Sequence, residues 1–129
     1  MVGKSAKRIL VVDDNHDAAD TLAILIRMDG HEVMVAYDTK SGIALADVSV
    51  PDIIFHDIGL PIICGYAAAR HFRSDQKFAA TILVAVTAYN ATYDRKCAQT
   101  AGFDNHLAKP VDFAVLKEVL ARPPRTLFP

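Results

Sequence analysis

Short apolar runs alternate with longer amphipathic stretches along this chain. The runs are Arg8 to Val12, Val33 to Ala36, Ile53 to Phe55, Ile82 to Val86 and, more weakly, His106 to Ala108. Each is too short to be a buried helix, and most are rich in Val and Ile, whose branched side chains suit a pleated sheet, so five strands are predicted. Between the runs, apolar residues fall at helical spacing. Ala19, Leu22, Ala23 and Ile26 form an i, i+3, i+4, i+7 stripe. Gly30 is placed to end that helix in a left-handed cap. A second helix is predicted near Lys40 to Asp47, with Pro51 as a stop, and a third near Tyr66 to Arg73. A fourth lies near Tyr93 to Ala101 and is ended by Gly102. The fifth carries Phe113, Leu116 and Leu120 on one face and is ended by Pro123-Pro124.

Five strand-then-helix repeats predict an α/β fold, a parallel sheet with helices on both faces. Right-handed crossovers leave few topologies, and the doubly wound flavodoxin-like order 2-1-3-4-5 is the common five-stranded solution. No internal repeat, low-complexity tract or linker divides the 129 residues. The chain therefore reads as one domain over 1–129, with its core at about 7–122.

Charge and composition remove several function classes. The formal net charge of −1 offers no basic surface for direct contact with nucleic acid. No segment approaches the roughly 20 apolar residues of a membrane helix. Met1 to Lys7 is polar and lacks the apolar centre of a secretory signal. Cys64 and Cys97 form no C-x-x-C pair. Sequence alone leaves a disulfide open, but free thiols in a reducing compartment are the favoured reading, so a cytoplasmic location is expected.

The residues that follow the strands carry the candidate chemistry. Asp13 and Asp14 follow the first, Asp57 follows the third after His56, Thr87 follows the fourth, and Lys109 with Pro110 follows the fifth. In a sheet of the predicted order, ligands bind beyond the carboxyl ends of the strands, where the order reverses between strands 1 and 3. Three crowded carboxylates raise one another's proton affinity, and a hard divalent cation resolves the repulsion. Mg²⁺, with Mn²⁺ as the alternative ion, suits an all-oxygen donor set. A carboxylate nucleophile, a divalent cation, a hydroxyl and a lysine together point to phosphoryl transfer. Taken singly, Asp13-Asp14 and Thr87 also read as helix caps, Asp57 as a turn residue and Lys109 as a solvated charge. Their joint placement is what favours a site.

At these residues the sequence resembles the receiver domain of bacterial two-component systems, over nearly the whole chain. The matching stretches are ILVVDDN (Ile9 to Asn15), the D-x-x-L-P of Asp57 to Pro61, VTAY (Val86 to Tyr89) and GFDNHLAKPVD (Gly102 to Asp112). The resemblance implies that Asp57 accepts a phosphoryl group as an acyl phosphate. It implies Asp14 as a direct metal carboxylate, Asp13 acting through water, and the backbone carbonyl of Gly59 completing the metal shell. Thr87, the backbone N–H of Ala88 and Lys109 would contact phosphoryl oxygens, and Thr87 would report the modification. The donor would be a phosphohistidine on a histidine kinase or a histidine phosphotransfer protein. The outcome would be a signalling switch with a changed partner-binding surface, catalysing only its own phosphorylation and hydrolysis. The same resemblance, and the small energy difference of X-Pro isomers, predict a cis Lys109–Pro110 bond.

Some positions depart from the commonest form of the family. His106 stands where a Tyr or Phe often acts as a rotating switch, so it is either a switch residue of altered behaviour or a strand-end His without that role. Ile62-Ile63-Cys64 makes the loop after strand 3 unusually apolar. On the first helix, Ala18 and Leu25 lie at the rim of the apolar stripe, and Ile24 and Met28 lie further round. They read either as a broad buried face or as a docking patch for the donor. The chain ends soon after the fifth helix, which leaves a free-standing receiver or one cut from a larger regulator or hybrid kinase, with no DNA-binding effector following. Three other classes fit less well. A docking-only receiver would not need intact Asp57, Thr87 and Lys109. An aspartyl phosphatase would carry D-x-D after strand 1 and a cap domain. A flavin-mononucleotide binder would want a Ser/Thr/Gly-rich phosphate loop where Asp13-Asp14 stand.

Overall fold

The computed structural model describes residues 6–59, 65–87 and 95–125. Five strands, β1 (Arg8–Val12), β2 (Glu32–Ala36), β3 (Ile53–Asp57), β4 (Ile82–Thr87) and β5 (Asn105–Ala108), form one parallel sheet. Its order is β2-β1-β3-β4-β5, the predicted one. The helices are α1 (His16–Met28), α2 (Thr39–Val48), α3 (Gly65–Arg73), α4 (Arg95–Ala101) and α5 (Phe113–Leu120). Among the described residues, no helix is long and apolar enough to cross a membrane.

Period-2 alternation within each strand divides the core into two layers. Ile9, Val11, Ile53, Phe55, Val84 and Val86 face α1 and α5, where they meet Leu22, Ile26, Leu116 and Leu120. Leu10, Val12, Ile54, Leu83 and Ala85 face α2, α3 and α4 and meet Ala46, Phe72 and Ala98. Both faces are covered, which is why the strands are apolar at nearly every position. Each fully buried large aliphatic or aromatic side chain contributes about 1.5–3 kcal/mol.

β2 and β5 each begin one residue before their apolar runs, at Glu32 and Asn105, and two strands run further at their carboxyl ends. β3 continues through His56 and Asp57 because β4 continues beside it, pairing Asp57 with Val86. β4 includes Thr87, which pairs with Ala108. Hydrogen-bonded pairing decides these ends, and polarity of the side chain does not. On α5 the buried stripe is Leu116, Val119 and Leu120. Phe113, predicted on that face, is 38% exposed in the first turn, with the Lys117 ammonium over its ring. The helix also stops at Leu120, before Pro123. The Lys7 ammonium donates to the terminal carbonyls of Leu120, at 2.6 Å, and Arg122, where a cation opposes the helix dipole.

Helix starts are set by local side chains. Asn15 caps α1 by accepting from the Ala18 N–H, Asp38 caps α2 through Ser41, and Asp112 caps α5 through Ala114 and Val115. Asn15 in this role corrects the reading of Asp13-Asp14 as caps and leaves both carboxylates to the rim of the sheet. At the start of α3, a Cβ on Gly65 would lie 2.4 Å from the Ile58 Cα, so only glycine permits this approach.

Candidate functional site

The chain leaves β1 at Val12, and its next two residues sit at the carboxyl edge of the sheet. The Asp13 N–H donates to the Ala36 carbonyl of β2 at 3.1 Å. Its Oδ1 accepts from the Asn15 N–H at 3.0 Å, a local turn that turns the chain into α1. Asp13 is thereby buried, while Asp14 is exposed. Asp57 arrives from β3. Each of these three residues offers a carboxylate oxygen within 4.8 Å of the other two. The sequence placed them together, and the fold does so.

Lys109 enters from the loop between β5 and α5. Its backbone N–H donates to the Thr87 carbonyl at 2.8 Å, tying that loop to β4. Its ammonium lies 2.7 Å from Asp13 Oδ2 and 3.1 Å from Asp57 Oδ2. Lys109 is therefore paired, not a solvated charge. The Lys109–Pro110 bond is cis, as predicted. The other Asp57 oxygen, Oδ1, accepts from the Gly59 N–H at 2.7 Å.

These contacts perturb the titrating groups. Burial, reinforced by the charge of Asp57, holds the Asp13 carboxyl above its ordinary range, although Lys109 and the Asn15 N–H act the other way. For Lys109, burial alone would depress the ammonium. The hydrogen bonds and charges of Asp13 and Asp57 outweigh it and hold the group above its ordinary value. The donor set for a cation is all oxygen, partly negative and partly open to water through Asp14, which fits a hard divalent ion of the Mg²⁺ type.

Thr87 stands buried at the end of β4, next in the chain to the Asp57 partner Val86. Ala88, and the loop residues Pro61 to Cys64, lie outside the described residues, and so does the Cys97 side chain. His106 is half-buried in β5, paired with Ala85 of β4. Its backbone N–H donates to the Asn105 side chain.

Sequence reasoning missed two features beside the site. His56 is 2% exposed and joins the Asp57 carbonyl to the Thr39 hydroxyl. The signal was present, since a His that continues the strand directly after an apolar run, on the same face as buried Ile54, needs partners. Burial pushes its imidazole below the ordinary value, against the hydrogen bond to the Asp57 carbonyl and the charge of Asp57. On the rim, His16 stacks on Tyr37 with centroids 3.7 Å apart, and the Tyr37 hydroxyl donates to Asp20 at 2.7 Å. No sequence pattern links residues from α1 and the end of β2.

A groove of about 350 Å³ runs from the acidic pocket along α1, lined by Ala18, Leu22, Leu25, Pro110 and Val111 and reaching Asp13 and Lys109. Ile24 and Met28 are 55% and 72% exposed, while Leu25 at the rim of the stripe packs partly buried against the core.

The family model for the response regulator receiver domain matches residues 9–121. Among curated proteins, the chain is similar to the DNA-binding dual master transcriptional regulator RpaA of Synechocystis sp. The two are 34% identical over 115 residues, covering 89% of this chain and 46% of RpaA, so the chain spans less than half that relative's length. Among solved structures it is similar to the receiver domain of the sensor histidine kinase PA1611 from Pseudomonas aeruginosa, which has a magnesium ion coordinated in its active site cleft. The TM-score is 0.80 at 29% identity, over 90% of this chain and 95% of that one. It is also similar to the receiver domain of the Saccharomyces cerevisiae response regulator Ssk1, solved with the histidine phosphotransfer protein Ypd1. There the TM-score is 0.78 at 25% identity, over 88% of this chain and 86% of that one. The five-stranded order, the acidic edge and these matches agree, and the chain belongs to the response regulator receiver domains of two-component systems.

Proposed function

We propose that this chain is a single receiver unit that takes a phosphoryl group onto Asp57 from a phosphohistidine donor. The observation that carries the reading is the convergence of Asp13, Asp14 and Asp57 on one point, with the Lys109 ammonium bonded to two of them. A carboxylate oxygen of Asp57 attacks phosphorus, the P–N bond to the donor imidazole breaks, and an acyl phosphate forms. The imidazole leaves and takes up a proton. Lys109 pairs with a phosphoryl oxygen, and the Thr87 hydroxyl and Ala88 N–H contact the others, with Thr87 and His106 relaying the change to a partner-binding surface. Asp13, Asp14, Asp57 and the Gly59 carbonyl would hold Mg²⁺ or Mn²⁺. A bound divalent ion supplies charge neutralisation on the transferring oxygens, and these residues supply its placement.

The donor is a histidine kinase or a histidine phosphotransfer protein, a reading supported by the likeness to the Ssk1 receiver, solved with such a protein. The switch works in the cytoplasm through protein partners, in keeping with a net charge of −1. Its only catalysis is of its own phosphorylation and hydrolysis. Acetyl phosphate with Mg²⁺ is expected to add one phosphoryl group by intact mass, and Asp57→Asn to abolish the addition while keeping the fold. Unchanged labelling in that variant sinks the assignment.

A further inference from the structure

His56 lies one residue before Asp57, sealed inside the sheet layer that faces α2. The Asp57 main-chain oxygen can only accept a hydrogen bond, so the imidazole Nδ1, 2.8 Å away, carries the hydrogen. Nε2 is then the acceptor, and the Thr39 hydroxyl donates to it across 3.1 Å. The ring thus spans from the peptide that follows the acceptor carboxylate to the first residue of α2. That peptide is also held at its other end, where the Ile58 N–H donates to the Val86 carbonyl of β4 at 3.2 Å. On the opposite side, β1 stops pairing with β3 at Val12 and His56, one residue short of Asp57.

The Asp57–Ile58 peptide plane is therefore clamped at its carbonyl by a side chain and at its N–H by a strand. Its orientation sets the path of the chain from Asp57 to Gly59. The Gly59 N–H holds Asp57 Oδ1, and its carbonyl belongs to the proposed metal shell. A tilt of the plane would move the nucleophile and a metal oxygen together. Packing alone does not call for a histidine here, since a leucine fills comparable space. A leucine would take away the donor to the Asp57 carbonyl, and an unmade buried hydrogen bond is costly.

We propose that His56 is a positioning residue of the acceptor site, braced by Thr39, which keeps the Asp57 carboxylate and the Gly59 loop aligned through the Asp57 carbonyl. This rests on the reading of Asp57 as the acceptor.

The test compares wild type, His56→Leu and His56→Asn. An asparagine places an amide N–H close to where Nδ1 stands, and a leucine offers none. Labelling by acetyl phosphate at saturating Mg²⁺ is followed by intact mass, and Mg²⁺ affinity is measured separately by calorimetry. His56→Leu is expected to label about tenfold more slowly, within the ~10²-fold that a misplacement of about 1 Å costs, and to bind Mg²⁺ more weakly. His56→Asn should recover most of both. A folded His56→Leu that labels within about twofold of wild type overturns the proposal, and so does equal slowing in leucine and asparagine. If His56→Leu does not fold, Thr39→Val and Thr39→Ser replace it: the valine is expected to label more slowly and the serine normally, and a wild-type rate in the valine overturns the brace. ¹⁵N NMR of the unmodified protein should find the His56 proton on Nδ1, and a proton on Nε2 instead overturns the geometry. Failure of wild type to label at Asp57 would refute the acceptor reading alone, because the tautomer and the Mg²⁺ affinities decide the role of His56 without phosphorylation.

Discussion

The Lys109 ammonium lies closer to Asp13 than to Asp57, 2.7 Å against 3.1 Å, so the lysine is shared and Asp13 holds it the more tightly. Burial still outweighs that pairing and leaves the Asp13 carboxyl above its ordinary value of 3.8. The folded protein then holds this proton more tightly than the unfolded chain does. Between 3.8 and the raised value, stability attributable to Asp13 increases as pH falls. At neutral pH, ionised Asp13 works against folding. Asp13→Asn is expected to raise the melting temperature at pH 7 in the absence of divalent ions, and the gain should shrink as pH falls toward 3.8. A lower melting temperature at pH 7 would mean that the Lys109 pair dominates.

Mg²⁺ should stabilise the folded form only, since the three carboxylates converge only there. At a hundred times its dissociation constant, a ligand of this kind contributes about 2.7 kcal/mol. The melting temperature should rise with Mg²⁺ and return with chelator. Asp14→Ala should remove the shift, and an unchanged shift in that variant would place the ion on other oxygens.

Gly65→Ala tests how the α3 start supports Asp57. The added Cβ would meet the Ile58 Cα at 2.4 Å and the Asp57 carbonyl at 3.0 Å, so backbone must move. A loss of roughly 1–3 kcal/mol is expected from such overpacking, with slower labelling by acetyl phosphate. Wild-type stability and rate together would show that the loop yields without strain.

Ala18 lines the groove beside the acidic pocket and is only half-buried. Docking of a donor there would align its imidazole with Asp57, and alignment is much of phosphoryl transfer. Ala18→Glu is expected to slow transfer from a phosphorylated histidine phosphotransfer protein, leaving thermal stability and acetyl phosphate labelling nearly unchanged. A parallel fall in both reactions assigns Ala18 to the core instead.

Much of the architecture was legible because local rules agree with the global fold. The apolar runs, the α1 stripe of Ala19, Leu22, Ala23 and Ile26, and the strand-end acids all follow from period and from the two-sided cover of a parallel sheet. Element ends were less legible. Asp57 and Thr87 lie inside strands because neighbouring strands pair with them, a relation that no residue reveals alone. Phe113 has the right spacing for the core and is nonetheless partly open to water.

By itself the sequence determined the succession of strands and helices along the chain and the strand-end places of Asp13, Asp14, Asp57, Thr87 and Lys109, because side-chain period depends on near neighbours, while long-range pairing of β1 with β3 brings those residues to one edge. Only the tertiary structure decided which hydrogen bonds join distant parts. The Arg73 guanidinium reaches the carbonyls of Gly102 and Phe78 and the Asp104 carboxylate, which also takes the Leu83 N–H and Arg125. Lys7 closes the end of α5 across 113 positions of sequence. His56 finds Thr39 and the Asp57 carbonyl. Each of these groups loses water on folding and must find a partner, and that partner is whichever residue the completed packing brings within about 3 Å.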